Sequence, residues 1–258
     1  FTVDNVESVT DWQDEVFRSG VIQNYTLGVS GGTKKTNFSL AGSYRDEQGI
    51  IINSSFKRYT FNSNVDHDVL KRLKVGMSLN LSYTDRKEIP DNEIWNGVLQ
   101  ATVFMPEMLA VRDADGNFVG TYGGNSSPYG NSQNPVGIAE RSDTKNPSTR
   151  ILGNVYTDWE VFDGLHFKTL ISADLANSNF KQYQPTFPEG TLRTTVATLD
   201  QRNDQTTWWN WENTLSYVKT FGRHEVSALV GASAQESDYE FFTASRTGFP
   251  ENDPAALR

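Results

Sequence analysis

Cysteine is absent from the 258 residues, which excludes disulfides and thiolate metal sites. No run approaches the roughly 18 consecutive apolar residues that a membrane-spanning helix needs. Helical spans are therefore excluded, whereas a β-barrel is not, because barrel strands hide their apolar residues by alternation. Hydrophobic residues make up 36%, below the roughly 45–50% usual in globular domains. Cations are outnumbered: 23 Lys and Arg against 32 Asp and Glu give a formal net charge of -9. That is the wrong sign for a nucleic-acid surface, so no nucleic-acid partner is expected. A secretory signal is lacking as well, since Phe1 opens directly onto polar sequence, and a segment of a longer exported chain is expected.

Aromatics, in contrast, reach 12%. They fall into a period-two pattern whose clearest stretch is Leu73, Val75, Met77, Leu79, Leu81 and Tyr83, alternating with Lys74, Gly76, Ser78, Asn80 and Ser82. Similar alternation marks strands near 22–30, 37–45, 58–66, 73–84, 151–162, 165–175, 208–219 and 224–235. Runs of about 8–12 residues are long for a soluble sandwich and suit tilted strands that cross a bilayer. The alternate face carries Asn, Asp, Glu, Lys, Ser and Thr, as a wet lumen requires.

Connections alternate between short (31–35, 68–72, 163–164, 220–223) and long (46–57, 85–150, 176–207). This places the short turns at one rim and the long loops at the other, the arrangement of transmembrane barrels. The reading is therefore all-β: an antiparallel, up-and-down transmembrane β-barrel segment of about eight strands in four hairpins, with long extracellular loops. Leu73, Val75, Met77, Leu79 and Leu81 are expected to face outer-membrane lipid. Tyr44, Tyr83, Trp208, Trp209 and Trp211, near strand ends beside the long loops, suit an interfacial girdle.

Thr10-Asp11-Trp12-Gln13-Asp14-Glu15-Val16-Phe17 is followed by the run from Gln23 through Gly32, then by Gln48-Gly49-Ile50-Ile51, Phe56-Lys57-Arg58-Tyr59 and Asn62-Ser63-Asn64-Val65-Asp66. In this order and spacing they resemble the barrel of SusC/RagA-type TonB-dependent transporters of Bacteroidetes. The likeness is specific over about residues 10–84 and general over 85–258. It implies a barrel of about 22 strands plugged by an N-terminal domain. It further implies uptake of oligosaccharides or peptides across the cell outer membrane, a SusD-like surface lipoprotein as lid, and energy from the TonB complex. The sequence departs from the family in showing no plug domain, no TonB box and no terminal barrel strand. Contact with TonB is accordingly expected through an N-terminal part that this sequence lacks.

Chemistry for an enzyme is not apparent. The three histidines, at 67, 166 and 224, are scattered and lack a recognisable Ser or Cys partner. Asp14-Glu15 and Asp46-Glu47 have nothing that fixes them at a glycosidase separation. Asp113-Ala114-Asp115-Gly116-Asn117 begins like a calcium loop, yet Gly124 stands where the twelfth-position carboxylate belongs, and the same residues make a good β-turn. No cofactor, metal or catalytic residue is therefore expected. Trp95, Tyr122, Tyr129, Phe180, Tyr183 and Trp208, in or beside outer loops, are the candidate substrate-binding aromatics. A self-contained small barrel or sandwich acting as a surface glycan-binding or adhesive module is the alternative.

Overall fold

The computed structural model describes residues 9–90, 97–121, 130, 132–189 and 192–249. A one-turn helix, α1 (Trp12–Val16), begins at Asp11, whose carboxylate accepts the backbone N–H of Gln13 and Asp14. Two hairpins follow: β1 (Ile22–Gly32) with β2 (Thr36–Gln48), and β3 (Ser55–Leu70) with β4 (Leu73–Glu88). The next connection holds helices α2 (Val98–Phe104) and α3 (Pro135–Arg141). Then come β5 (Asp143–Lys145), β6 (Ser148–Phe162) and β7 (Leu165–Gln184). A small hairpin, β8 (Phe187–Glu189) and β9 (Leu192–Thr194), leads into β10 (Thr198–Phe221) and β11 (His224–Thr247).

Every neighbouring pair in the main sheet is antiparallel, and the order follows the chain from β1 to β11. β5 and β6 are one wall strand interrupted by Pro147. The register against β4 is the same on both sides of the break, Lys87↔Lys145 and Thr84↔Ser148. Against β7 it is likewise unchanged, Lys145↔Lys181 and Ser148↔Ser178. Proline has no N–H to give to a ladder. Asn146 N–H to Arg86 O (3.0 Å) and Asn179 N–H to Pro147 O (2.9 Å) carry the bonding across the gap. Among the described residues the wall thus has eight strands in four hairpins.

Two of the expected long loops are shorter than expected. Residues 176–184 and 198–207 form the ends of β7 and β10, whose ladder is unbroken from Thr198↔Gln184 to Tyr217↔Leu165. Residues 46–57 shrink to a tight connection between Gln48 and Ser55. Polar residues on both sides signal loop to a periodicity reading, but a strand that rises above the membrane is wet on both faces and keeps its hydrogen bonds. The larger of the two packed clusters among the described residues lies outside the sheet. Trp12, Val16, Val98, Ala101, Met105, Val136, Ile138 and Ala139 form one buried cluster among the three helices.

One glycine in the wall is required by contact. Gly76 lies between Asp66 on β3 and Tyr156 on β6 in the register. The Tyr156 ring lies across it, so that its hydroxyl donates to Asp66 Oδ1. A Cβ on Gly76 would come within 2.3 Å of Tyr156 Cε1 and 2.5 Å of Asp66 Oδ1. Gly76→Val in the full-length protein should therefore expel Tyr156 and destabilise the wall by ~1–3 kcal/mol, the usual scale of overpacking. The expected result is a lower melting temperature in heat-modifiability gels than for Gly28→Val, where the nearest atom is 3.6 Å away. Equal melting of the two variants would refute the fit.

Candidate functional site: a two-faced wall and its outer loops

Antiparallel partners share a face, so the register sorts the wall into two surfaces. One is apolar. Tyr25, Tyr44, Tyr59 and Tyr83 are successive partners across β1 to β4 and form a row of rings with centroids 6.4, 4.9 and 6.2 Å apart. Below it, toward the short turns, the same face carries Leu27, Val29, Leu40, Phe38, Phe61, Val65 and the row's continuation on β4. Leu73, Val75, Met77, Leu79 and Leu81 all lie on this face, with Ile151, Val155 and Trp159 of β6 paired to Leu81, Met77 and Leu73. Immediately above the tyrosines it turns charged, with Asp46↔Lys57↔Asp85. The ten steps from Leu73 to Tyr83, at about 3.3 Å each and tilted by about 40°, rise about 25 Å, the height of an outer-membrane apolar band.

That tilt is visible in the residues. Continued along the register, the tyrosine row reaches Thr149, Asn177, Gln205 and Glu240. The apolar face instead resumes lower down, at Ile151, Leu175, Trp209 and Ala234. Relative to the hydrogen bonds, the top of the band drops by two residues between β4 and β6, between β7 and β10, and between β10 and β11, the pattern that inclined strands produce.

The opposite face is polar and internally bonded. Ser43 pairs with Thr60, and Asn80 donates to Asn62. Lys74 lies 3.7 Å from Asp66, and the Lys168 ammonium sits 4.8 Å from the Tyr156 ring centroid. Arg150 grips Asp174 through Nε (2.8 Å) and Nη2 (2.5 Å). His166 Nδ1 is 2.9 Å from Asp158, an ordinary surface pair. No group of three or more metal-ligating side chains occurs among the described residues.

Above the sheet, the outer connections are tied into one unit. The α1 segment is held to the long connection by Trp12 Nε1 donating to Pro106 O (2.9 Å) and Thr10 Oγ1 to Leu109 O (2.7 Å). Asn134 caps α3, accepting from Gly137 N–H (3.0 Å), while its amide donates to Val111 O and Val119 O (2.9 Å each). Asp113 accepts the N–H of Asp115 (3.0 Å) and Asn117 (2.8 Å), with Gly116 at φ 84°. These residues form a turn. Those donors, the Asn117 backbone first, hold the Asp113 carboxyl below its ordinary range.

The deepest polar contact joins α3 to the β8–β9 hairpin. Arg141 Nη2 donates to Glu189 at 2.6 Å, with side-chain exposures of 13% and 0%. Asn134 N–H donates to the other oxygen, and the guanidinium lies 3.8 Å from the Phe187 ring centroid. Burial pushes the Glu189 carboxyl up and the Arg141 guanidinium down, and each ion holds the other against that cost.

The expected aromatics divide. Trp95, Tyr122 and Tyr129 lie outside the described residues. Tyr183 is buried with Ala197 and Leu199 against Phe249, so its ring is committed to packing and is not presented for binding. Phe180 and Trp208 lie on the polar face, opposite Arg202 and Asp174. Trp208 thus does not join Trp209 and Trp211, which lie on the apolar face. Arg202, Asp204, Tyr239 and Phe241 join Phe180 on the polar face, a grouping that only the cross-strand register reveals.

Removing one member of a buried ion pair strands its partner, at a cost of ~3–5 kcal/mol. Arg141→Ala in the full-length protein should therefore speed hydrogen exchange in peptides covering 111–121, 134–142 and 187–189, and leave β1 to β4 unchanged. Exchange unaltered in those loop peptides would show that the pair does not hold the unit together.

No protein-family model matches the chain. It is 32% identical over 251 residues to the TonB-dependent receptor P3 of Formosa agariphila, covering 95% of this chain and 24% of that one. It is 24% identical over 252 residues to the TonB-dependent receptor SusC of Bacteroides thetaiotaomicron, covering 88% and 24%. The RagAB peptide transporter superposes with a TM-score of 0.79 at 20% identity, covering 95% of this chain and 28% of that one. The chain spans about a quarter of the length of the curated relatives it matches. By sequence and by fold, the chain belongs to the SusC/RagA-type TonB-dependent transporters, as a segment of their β-barrel.

Proposed function

We propose that the chain supplies eight wall strands and the outer loops of an importer that carries oligosaccharides or peptides across the outer membrane. The observation that carries this reading is the two-faced wall: an apolar face topped by a tyrosine row, and a polar face rich in paired charges. In this reading the apolar face meets lipid and the polar face lines the lumen. The work is passage and capture, with no bond made or broken by this segment. A SusD-like lipoprotein covers the outer loops, and TonB supplies the energy. Names among the relatives support this, since one is called SusC and another is a RagAB peptide transporter. Of the aromatics expected from the sequence, Phe180 and Trp208 lie on the polar face and would meet cargo in this reading.

A self-contained module fits less well. β1 and β11 are the two edges of the sheet and do not pair with each other, so the described strands close no barrel. Open edges of this length demand further strands.

Single spin labels on the full-length protein in bilayers test the reading. Labels replacing Met77 and Ile171 should be relaxed by oxygen, which partitions into lipid. Labels replacing Ser78 and Ser172 should respond to a water-soluble nickel chelate. A reversed or uniform pattern would sink the assignment of faces, and with it the transport reading.

A further inference from the structure

On the apolar face, the row below the tyrosines runs Leu27↔Gly42↔Phe61↔Leu81↔Ile151. Every member carries a large apolar side chain except Gly42, which lies on β2 with a neighbouring strand on either side. The result is a notch under the rings. A depression of about 680 Å³ opens there, lined by Tyr25, Leu27, Gly42, Tyr44 and Tyr59 among others. Packing within the wall does not require the gap. A Cβ on Gly42 would meet nothing closer than Thr60 O at 4.0 Å, in contrast to the crowded Gly76. Glycine weakens a strand, and an interior one with open space above it suits close approach of a ligand to the backbone.

The row above the tyrosines, Asp46↔Lys57↔Asp85, sets one cation between two anions. Asp46 accepts from the Tyr44 hydroxyl. The Lys57 ammonium and the Asp85 carboxylate are both exposed, and neither has an ion-pair or hydrogen-bond partner among the described residues. Strand partners on one face stand about 5 Å apart, the span of a phosphate and an ammonium joined by two carbons. Alternating charge of this kind selects its ligand. A lipid with net negative charge brings its phosphate to Lys57 but then faces two carboxylates, a like-charge encounter that is unfavourable. A choline ammonium has no proton to give Asp85, whereas a primary ammonium has three. Charges above, rings at the middle level and an apolar notch below match the headgroup, glycerol and acyl chain of one zwitterionic lipid.

We propose that this stretch of β2, β3 and β4 is a binding site for one phosphatidylethanolamine molecule. Its phosphate meets Lys57, its ammonium meets Asp85, its glycerol lies against Tyr44 and Tyr59, and an acyl chain fills the notch over Gly42. The site rests on the reading of the apolar face as the lipid-facing one, and adds to it a lipid held at a fixed place.

The test uses the full-length transporter, stripped of lipid in detergent, with wild type, Gly42→Leu, Lys57→Gln and Asp85→Asn compared by native mass spectrometry. Heat-modifiability establishes first that each variant is folded. Probes are phosphatidylethanolamine, phosphatidylcholine, phosphatidylglycerol and lipid A, and the readout is the affinity for the first lipid bound. Wild type should bind phosphatidylethanolamine more tightly than the other three. Gly42→Leu should weaken that binding roughly tenfold, the effect of exposing about two methylenes. Lys57→Gln should weaken it roughly fivefold. Asp85→Asn should erase the preference for phosphatidylethanolamine over phosphatidylcholine and leave phosphatidylcholine binding unchanged. A phosphatidylethanolamine with a diazirine on its acyl chain should label peptides covering 40–44 and 57–61 in wild type and lose that label in Gly42→Leu. Equal binding of the four lipids, tightest binding of lipid A, or a preference that all three variants retain overturns the site. Because Met77 and Ile171 lie outside it, failure here with their spin-label pattern intact removes the site alone.

Discussion

Backbone hydrogen bonding is the constraint on which the rest of this structure depends. Hydrocarbon offers no partner to a peptide N–H or carbonyl, so a strand survives there only when both neighbours take up its polar groups. The wall meets this with continuous antiparallel ladders, the longest running from Thr198↔Thr247 to Phe221↔His224. Even Pro147, which cannot donate, is spanned by bonds from Asn146 and Asn179 that keep the register on both sides. Once the ladder is fixed, side chains can only alternate, and the two solvents on either side of the wall decide what each alternate position holds.

The membrane's edges then follow from chemistry along each strand. The tyrosine row has its rings on the apolar face and hydroxyls that reach polar groups, as when Tyr44 donates to Asp46 at 2.8 Å. The charged row Asp46, Lys57 and Asp85 directly above cannot sit in hydrocarbon. The short-turn rim is equally tight: Gly164 and Gly222 take φ of 86° and 65°, values that a Cβ would resist. Between these limits the polar face forms its own ion pairs and amide contacts, such as Lys74–Asp66, Arg150–Asp174 and Asn80–Asn62.

The outer loops obey a different rule. Short helices of five and seven residues are too brief to be stable alone, and here they are held by a shared core around Trp12, Val98 and Ala139 and by the Arg141–Glu189 contact.

The sequence by itself determined the two-faced strands, because an apolar face and a polar face write opposite demands into successive residues, as in Leu73 to Tyr83. It also determined the short turns, where Asp163-Gly164 states its own geometry. It did not determine the upper halves of β7, β10 and β11, since strands wet on both faces show no alternation and read as loop. Nor could it place Trp208 apart from Trp209 and Trp211, or commit Tyr183 to packing. Those outcomes depend on neighbours. Only the tertiary structure decided that Phe180, Arg202 and Phe241, more than twenty positions apart in the chain, share one patch, because cross-strand register is set by the whole ladder and by no residue alone.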